Sequence, residues 1–196
     1  MILKQMLPYS KFLLELTINP GDAVVDATAG NGNDTVFLSN LVGETGTVYS
    51  FDIQQEAIEN TQQMLDKHTI NNVKLIHCGH QHLNNYINQT VSAAIFNLGY
   101  LPNGNHTITT KADTTITAIQ NLLPLLKVKG IIVLIIYHGH DTGKLERDAL
   151  LDYLSLLDQN RCSVDDTHTF LFSHLHSSLG RVCSYFSLTW ETPISG

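Results

Sequence analysis

Residues 24–38 read Val-Val-Asp-Ala-Thr-Ala-Gly-Asn-Gly-Asn-Asp-Thr-Val-Phe-Leu. An apolar run ends in Asp26, a small-residue turn carries Gly30 and Gly32, and a new apolar period opens behind Asn33 and Asp34, either of which can cap a helix. Strand, glycine loop and helix start together make a nucleotide pocket. A second apolar run, Thr47 to Asp52, also ends in an acid. Its place, about twenty residues beyond the loop, is where a carboxylate accepts both hydroxyls of a ribose.

The loop also says which nucleotide. A dinucleotide fingerprint needs a third glycine so that a pyrophosphate can lie on the helix N-terminus. Here Gly32 is followed by Asn33, Asp34 and Thr35. Asp26 and Asp34 flank the loop and would repel a pyrophosphate. They suit a ligand carrying an ammonium and a sulfonium, which describes S-adenosyl-L-methionine. A nucleotide- or NAD-binding protein without methyl transfer is the competing reading of another class, and a ligand-free glycine turn is a third.

The acceptor side is read from Phe96-Asn97-Leu98-Gly99-Tyr100-Leu101-Pro102. An Asn closing an apolar strand can aim its amide oxygen at an N–H. Gly99 lets backbone approach a ligand, and Tyr100 offers a face on which a base can stack. An amine acceptor needs its lone pair free and its protons accepted. An alkyl amine is mostly protonated at neutral pH, so a base is also needed, and His138 and His140 are candidates. His138-Gly139-His140-Asp141 could also ligate a metal, yet no third ligand is fixed by spacing, and methyl transfer from a sulfonium needs none; no metal is expected.

The elements that must position these groups alternate. Strands are expected at about 23–26, 47–52, 73–77, 93–98 and 131–137, with helices at about 3–17, 34–41, 54–67, 81–89, 114–126 and 145–157. Residues 167–171 and 183–190 read as a closing antiparallel pair. The fold class is α/β: a mostly parallel central sheet with helices on both faces and a C-terminal antiparallel strand pair, with the ligand at the carboxyl ends of the strands. Every polar cluster named above falls at such an end.

The 196 residues suit a single domain, 1–196, and 43% hydrophobic with 15% charged content is ordinary for a globular protein. No apolar run reaches membrane-spanning length, and Met1 to Ile18 lacks the apolar block of a signal peptide. Cys78, Cys162 and Cys183 form no C-x-x-C pair and suggest reduced thiols in a cytoplasm. The net charge of −7 is adverse to a nucleic-acid partner. Lys4, Lys11, Lys111, Lys127, Lys129, Lys144, Arg147 and Arg181 would have to gather on one face to offset it.

Asp26–Thr35, Phe96–Pro102, Ile108-Thr109-Thr110 and Tyr137–Glu146 resemble, in combination and over nearly the whole chain, the small bacterial methyltransferases of the rRNA methylase family. The resemblance implies a Rossmann-like class I enzyme that uses S-adenosyl-L-methionine. For some members it implies transfer to the aminomethyl group of 5-aminomethyl-(2-thio)uridine at the tRNA wobble position, giving the 5-methylaminomethyl nucleoside. The older family name implies rRNA instead. The cofactor is then expected on Asp26, Ala27, Gly30, Asn31, Gly32, Asn33, Asp34, Thr35, Asp52, Ile53, Gln54, Gly79, His80, Gln81 and Asn97. Chemistry is expected from Asn97, Tyr100 and His138, and substrate contacts from Leu98, Gly99, Pro102, Thr109, Thr110, His140, Lys144 and Arg181. Cys78-Gly79-His80 stands where relatives carry Asp-Ser-His, so adenine recognition there would fall to backbone groups, His80 or Gln81. The expected partner is a tRNA anticodon stem-loop. A closing strand pair also leaves an edge that a second copy could cover as a homodimer.

Overall fold

A computed structural model of the chain describes residues 6–99, 101, 109–137, 141–157, 162–172 and 181–190, the last two stretches mainly as backbone. In chain order these are α1 (Met6–Thr17), β1 (Ala23–Asp26), α2 (Asn33–Val42), β2 (Thr47–Asp52), α3 (Gln55–Lys67), β3 (Val73–His77), β4 (Val91–Leu98), α4 (Ala112–Leu122), β5 (Leu126–Tyr137), α5 (Asp141–Ser155), β6 (Cys162–Phe172) and β7 (Arg181–Trp190). Short 3-10 turns occupy His80–Asn85 and Leu123–Leu125.

The strands form one sheet in the order β3-β2-β1-β4-β5-β7-β6. Strands β1 to β5 run parallel, β7 is antiparallel to β5, and β6 is antiparallel to β7. The chain winds outward from β1 to β3, then returns to start again at β4. The two windings meet between β1 and β4, which is where loops diverge and open a crevice.

Successive strand residues face opposite sides, so the apolar runs supply two cores. Val25, Tyr49, Ala94, Phe96, Ile132 and Leu134 pack with Leu83, α4 and α5 on one face. Val24, Val48, Ala93, Ile95, Val133 and Ile135 pack with α1 and α2 on the other.

The sequence places most boundaries within a few residues; the differences have local causes. Helix α4 stops at Leu122, not at 126, because Pro124 has no N–H to continue the ladder and turns the chain into 3-10 geometry. Strand β5 starts at Leu126, five residues early: Leu126 pairs with Val91, and an irregularity between Val91 and Ala93 accommodates the exposed Lys127, Val128 and Lys129. The expected helix at 81–89 is only a 3-10 turn. Among the described residues no helix is long and apolar enough to cross a membrane. Strands β3 and β6 form the two edges of the sheet.

Candidate active site at the carboxyl ends of the strands

The glycine loop is built by backbone that only glycine accommodates easily. Gly30 (φ +55°) and Gly32 (φ +80°) both lie in the left-handed region, and Gly32, rather than Asn33 or Asp34, is the cap of α2. A Cβ on Gly32 would stand 3.1 Å from Thr61 Cα. The loop is pinned to its neighbours on three sides. Ala27 N–H donates to Ile95 O (2.9 Å), Ala29 N–H to Phe51 O (2.9 Å), and Thr61 Oγ1 to Gly30 O (3.2 Å). Asn60 Nδ2 donates to Asn31 Oδ1 at 3.0 Å. Asn60 and Thr61 are bracing residues with no sequence signature of their own; Thr61 is fully buried, one turn beyond Ala57 on α3.

Asp52 ends β2 with both oxygens on this frame: Oδ2 accepts Gly30 N–H (3.0 Å) and Oδ1 accepts Gln54 N–H (2.9 Å). It is half-buried, and each oxygen keeps a lone pair for a ligand hydroxyl. Beside it Ile53 is 56% exposed, an apolar surface for a planar base.

Asp26 does a different job from the one its position suggests. It is 0% exposed. Its Oδ2 accepts Thr35 Oγ1–H (2.6 Å) and its Oδ1 accepts Thr28 N–H (3.1 Å), so it holds the loop and does not line it. Burial first, then the Asp34 and Asp52 charges, push its carboxyl up to about 7, against the two hydrogen bonds. Thr35 and Ala27 are buried with it, so their contribution is likewise packing and hydrogen bonding within the frame.

Asn97 sits at the end of β4, across the crevice. Its N–H donates to Thr28 Oγ1 (2.8 Å), tying β4 to the glycine loop. Its side-chain Nδ2 donates to Asp34 Oδ2 (3.2 Å). A carboxylate accepts only, so this bond sets which way the amide faces and leaves Oδ1 to accept from something else. Leu98, expected to meet substrate, is 0% exposed and packs in the core, because strand alternation turns it away from Asn97. Next comes Gly99. Its N–H donates to Thr110 Oγ1 (3.0 Å), and Thr110 N–H returns a bond to Gly99 O (3.1 Å). Thr110 Oγ1–H in turn donates to Glu146 Oε2 (2.9 Å). Thr109 is half-buried alongside.

His80 follows β3 and is 8% exposed. Its Nδ1 lies 2.9 Å from Ala27 O, so Nδ1 carries the proton and Nε2 is a bare acceptor, buried without a partner. Burial lowers its pKa, with the Ala27 bond and the Asp52 charge opposing. Gly79 precedes it, and the Gln81 carbonyl accepts Asn121 Nδ2 (2.9 Å), anchoring this turn to α4.

Lys4 lies outside the described residues, and the described basic residues are spread over the fold. Lys127 pairs with Asp22 at the opposite end of the sheet, Lys11 lies over Phe37, and Arg147 binds its neighbour Asp148. Lys111 and Lys144 are exposed at the heads of α4 and α5, on the acceptor side. Arg181 pairs with Phe172 and stands just beyond the Tyr137–Cys183 pair, at the same edge of the sheet. Tyr100, Pro102, His138 and His140 lie outside the described residues. Among the described residues no three His, Cys, Asp or Glu side chains could hold a metal ion.

The donor set fits S-adenosylmethionine. Two accepting carboxylates, Asp34 and Asp52, face the loop; His80 Nε2 is an unfilled acceptor for an N–H; and in none of these bonds does a lysine or arginine supply the positive charge a diphosphate would need. Similarity to known proteins agrees. The family model described as "Putative rRNA methylase" matches residues 48–177. A curated relative, the chloroplastic tRNA (mnm(5)s(2)U34)-methyltransferase of Arabidopsis thaliana, is 40% identical over 147 residues; the match covers 69% of this chain and 54% of that one, so the chain spans about half the length of that relative. A crystal structure described as a "putative rRNA-methylase" from Clostridium thermocellum has 40% identity and a TM-score of 0.88, over 97% of this chain and all of that one. A "putative methyltransferase" of Streptococcus mutans, solved in complex with SAH, has 35% identity and a TM-score of 0.81, over 96% and 99% of the two chains. Matched in sequence and in backbone course over nearly all of its length, the chain belongs to the family described as Putative rRNA methylase.

Proposed function

We propose that this protein is an S-adenosylmethionine-dependent RNA methyltransferase. In this reading it methylates the primary amine of 5-aminomethyl-(2-thio)uridine at the wobble position of tRNA. One observation carries the amine: the bond from Asn97 Nδ2 to Asp34 Oδ2 leaves Oδ1 as the accepting atom of the amide, near the end of β4, the strand that borders the crevice between β1 and β4. An amine that presents an N–H to this oxygen has its lone pair directed away from it, which is the arrangement nitrogen alkylation requires. The Arabidopsis relative's name supports the same acceptor class.

The cofactor, when bound, supplies a methyl group made electrophilic by a positively charged sulfur. Asp52 would accept the ribose hydroxyls, Ile53 would cover one face of the adenine, and the carboxylates of Asp34 and Asp52 would balance the positive charges. His80 would accept an N–H through Nε2. Lys111 and Lys144 flank the acceptor side, where an anticodon stem-loop would approach, and they meet its phosphates locally although the whole chain carries −7. Cys78, a free thiol, agrees with action in the cytoplasm.

The test is transfer of labelled methyl from S-adenosylmethionine to tRNA isolated from cells lacking the enzyme, followed by nucleoside analysis. Label in the 5-methylaminomethyl nucleoside is the expected result. Label in ribosomal RNA alone would replace the acceptor, and calorimetric binding of NAD without S-adenosylmethionine would remove the methyltransferase itself.

A further inference from the structure

We infer that Glu146 is the proton acceptor for the substrate amine, its free oxygen receiving an N–H at the acceptor loop. The inference rests on the amine reading above and goes beyond it, because it names the base.

Glu146 lies in the first half of α5, the helix that follows β5, about one turn and a half from its first residue, Asp141. Its residue is 6% exposed, an unusual place for a helix glutamate. One oxygen, Oε2, accepts the Thr110 hydroxyl at 2.9 Å, and the other, Oε1, is buried with no hydrogen-bond partner. A buried carboxylate oxygen left unfilled is costly, and such groups persist where function uses them. The Thr110 hydroxyl also accepts Gly99 N–H at 3.0 Å, so the carboxyl is two hydrogen bonds from Gly99, which lies two residues past Asn97. Asn97 Oδ1 and Glu146 Oε1 are thus two acceptor atoms to which the protein supplies no donor, connected through Gly99 and Thr110.

The titratable residues on the surrounding elements are Lys111 and Asp113 at the head of α4, Lys127, Lys129 and Tyr137 on β5, and Asp141, Lys144, Arg147, Asp148, Asp152 and Tyr153 on α5 itself. None of them bonds Oε1, and Arg147 is engaged by Asp148. Burial pushes the carboxyl up to about 7, with the Thr110 bond opposing, which gives a base matched to neutral pH.

The step balances simply. The bound ammonium gives one proton to Glu146, leaving a neutral amine with a free pair. That pair forms the N–C bond as the S–C bond breaks, its electrons remaining on sulfur as a thioether. The carboxylic acid then returns its proton to solvent.

The experiment compares wild type, Glu146→Gln and Glu146→Asp for methyl transfer from pH 6 to 9.5, on whichever RNA the wild-type enzyme labels. Affinity for S-adenosylhomocysteine, read by calorimetry, reports the fold and the donor site independently. Wild-type kcat should rise with pH and level near 7. For Glu146→Gln we expect kcat at pH 7 to fall 10²–10⁴-fold, S-adenosylhomocysteine affinity to stay within about threefold, and kcat to climb tenfold per pH unit toward 9, where solvent frees the amine. Glu146→Asp should keep the wild-type profile at a lower plateau. A loss in Glu146→Gln that is the same at every pH would leave Glu146 only the task of holding Thr110, and wild-type turnover in that variant would leave it none; either outcome overturns the inference. Failure of the amine reading shows separately, as wild-type label on a site that is not an amine. Should Glu146→Gln fail to bind S-adenosylhomocysteine, Glu146→Asp decides: a profile that no longer levels near 7 overturns the assignment.

Discussion

Replacing Asp26 by Asn tests whether the loop acid is a frame residue whose charge is opposed by the fold. The carboxyl is 0% exposed and stands at about 7 instead of its ordinary 3.8, with burial the largest cause. Between those two values the folded chain holds a proton that the unfolded chain has released. Stability therefore falls as pH rises from about 4 to about 7 and changes little above. Integrating the difference in bound protons from pH 5 to pH 8 gives a loss of roughly 2.5 kcal/mol attributable to this one group. An Asn at 26 cannot ionise, so that part of the pH dependence should vanish. Its Oδ1 can still accept Thr28 N–H, whereas the 2.6 Å bond from Thr35 is lost or reversed at a cost that is nearly independent of pH. Glu146 also titrates in this range, but it is common to both proteins and cancels. The assay is urea denaturation of wild type and Asp26→Asn at pH 5 and pH 8, with the free-energy difference between the proteins compared at the two values. The variant should gain on wild type by about 2.5 kcal/mol on going to pH 8. Parallel pH dependences would show that Asp26 ionises as freely in the folded chain as in the unfolded one, and the frame argument would fail.

Three further outcomes follow from the same geometry. Asp52→Asn places an amide N–H against Gly30 N–H or Gln54 N–H, each now satisfied by a carboxylate oxygen. Calorimetry should show S-adenosylhomocysteine binding weakened by about 1.5–3 kcal/mol, roughly ten- to a hundredfold, and unchanged affinity would remove Asp52 from the donor site. Asn97→Ala should spare that affinity within a few-fold and lower kcat by at least tenfold, since the open Oδ1 goes while Thr28 keeps the backbone bond; equal turnover would place the amine elsewhere. Gly32→Ala must put a methyl 3.1 Å from Thr61 Cα at φ +80°, and should cost about 1–3 kcal/mol in urea denaturation; a variant as stable as wild type would mean that α3 yields freely.

Much of this architecture could be read from residue order. Alternation of apolar positions gives both faces of the sheet, and the glycines with their flanking acids locate the loop and the donor. What order alone does not give is the side on which each polar group ends. Asp26 and Asp52 both close a strand with an acid, yet one is fully buried against Thr28 and Thr35 and the other is half-buried, holding Gly30 N–H and Gln54 N–H. The bond that orients Asn97 comes from Asp34, 63 residues away, and the one that holds Glu146 comes from Thr110, 36 residues away. Such pairings are products of the sheet order and leave no local mark. Glu146 itself resembles any solvated helix acid until its burial is known. The lysines are the reverse case: a list of cations that looks like a surface patch is dispersed by the topology, with Lys127 carried to the far end.

The position of β7 bears on how the chain is made. It is the last strand in order, yet it lies between β5 and β6, so β5 has only one paired edge until the final stretch of polypeptide arrives. On a ribosome, the donor half, with β1 to β3 and the glycine loop, is complete long before that stretch leaves the tunnel. Between the two events the most apolar strand of the protein presents an open row of amides and carbonyls, and a chain cut short before residue 181 would keep it open for good.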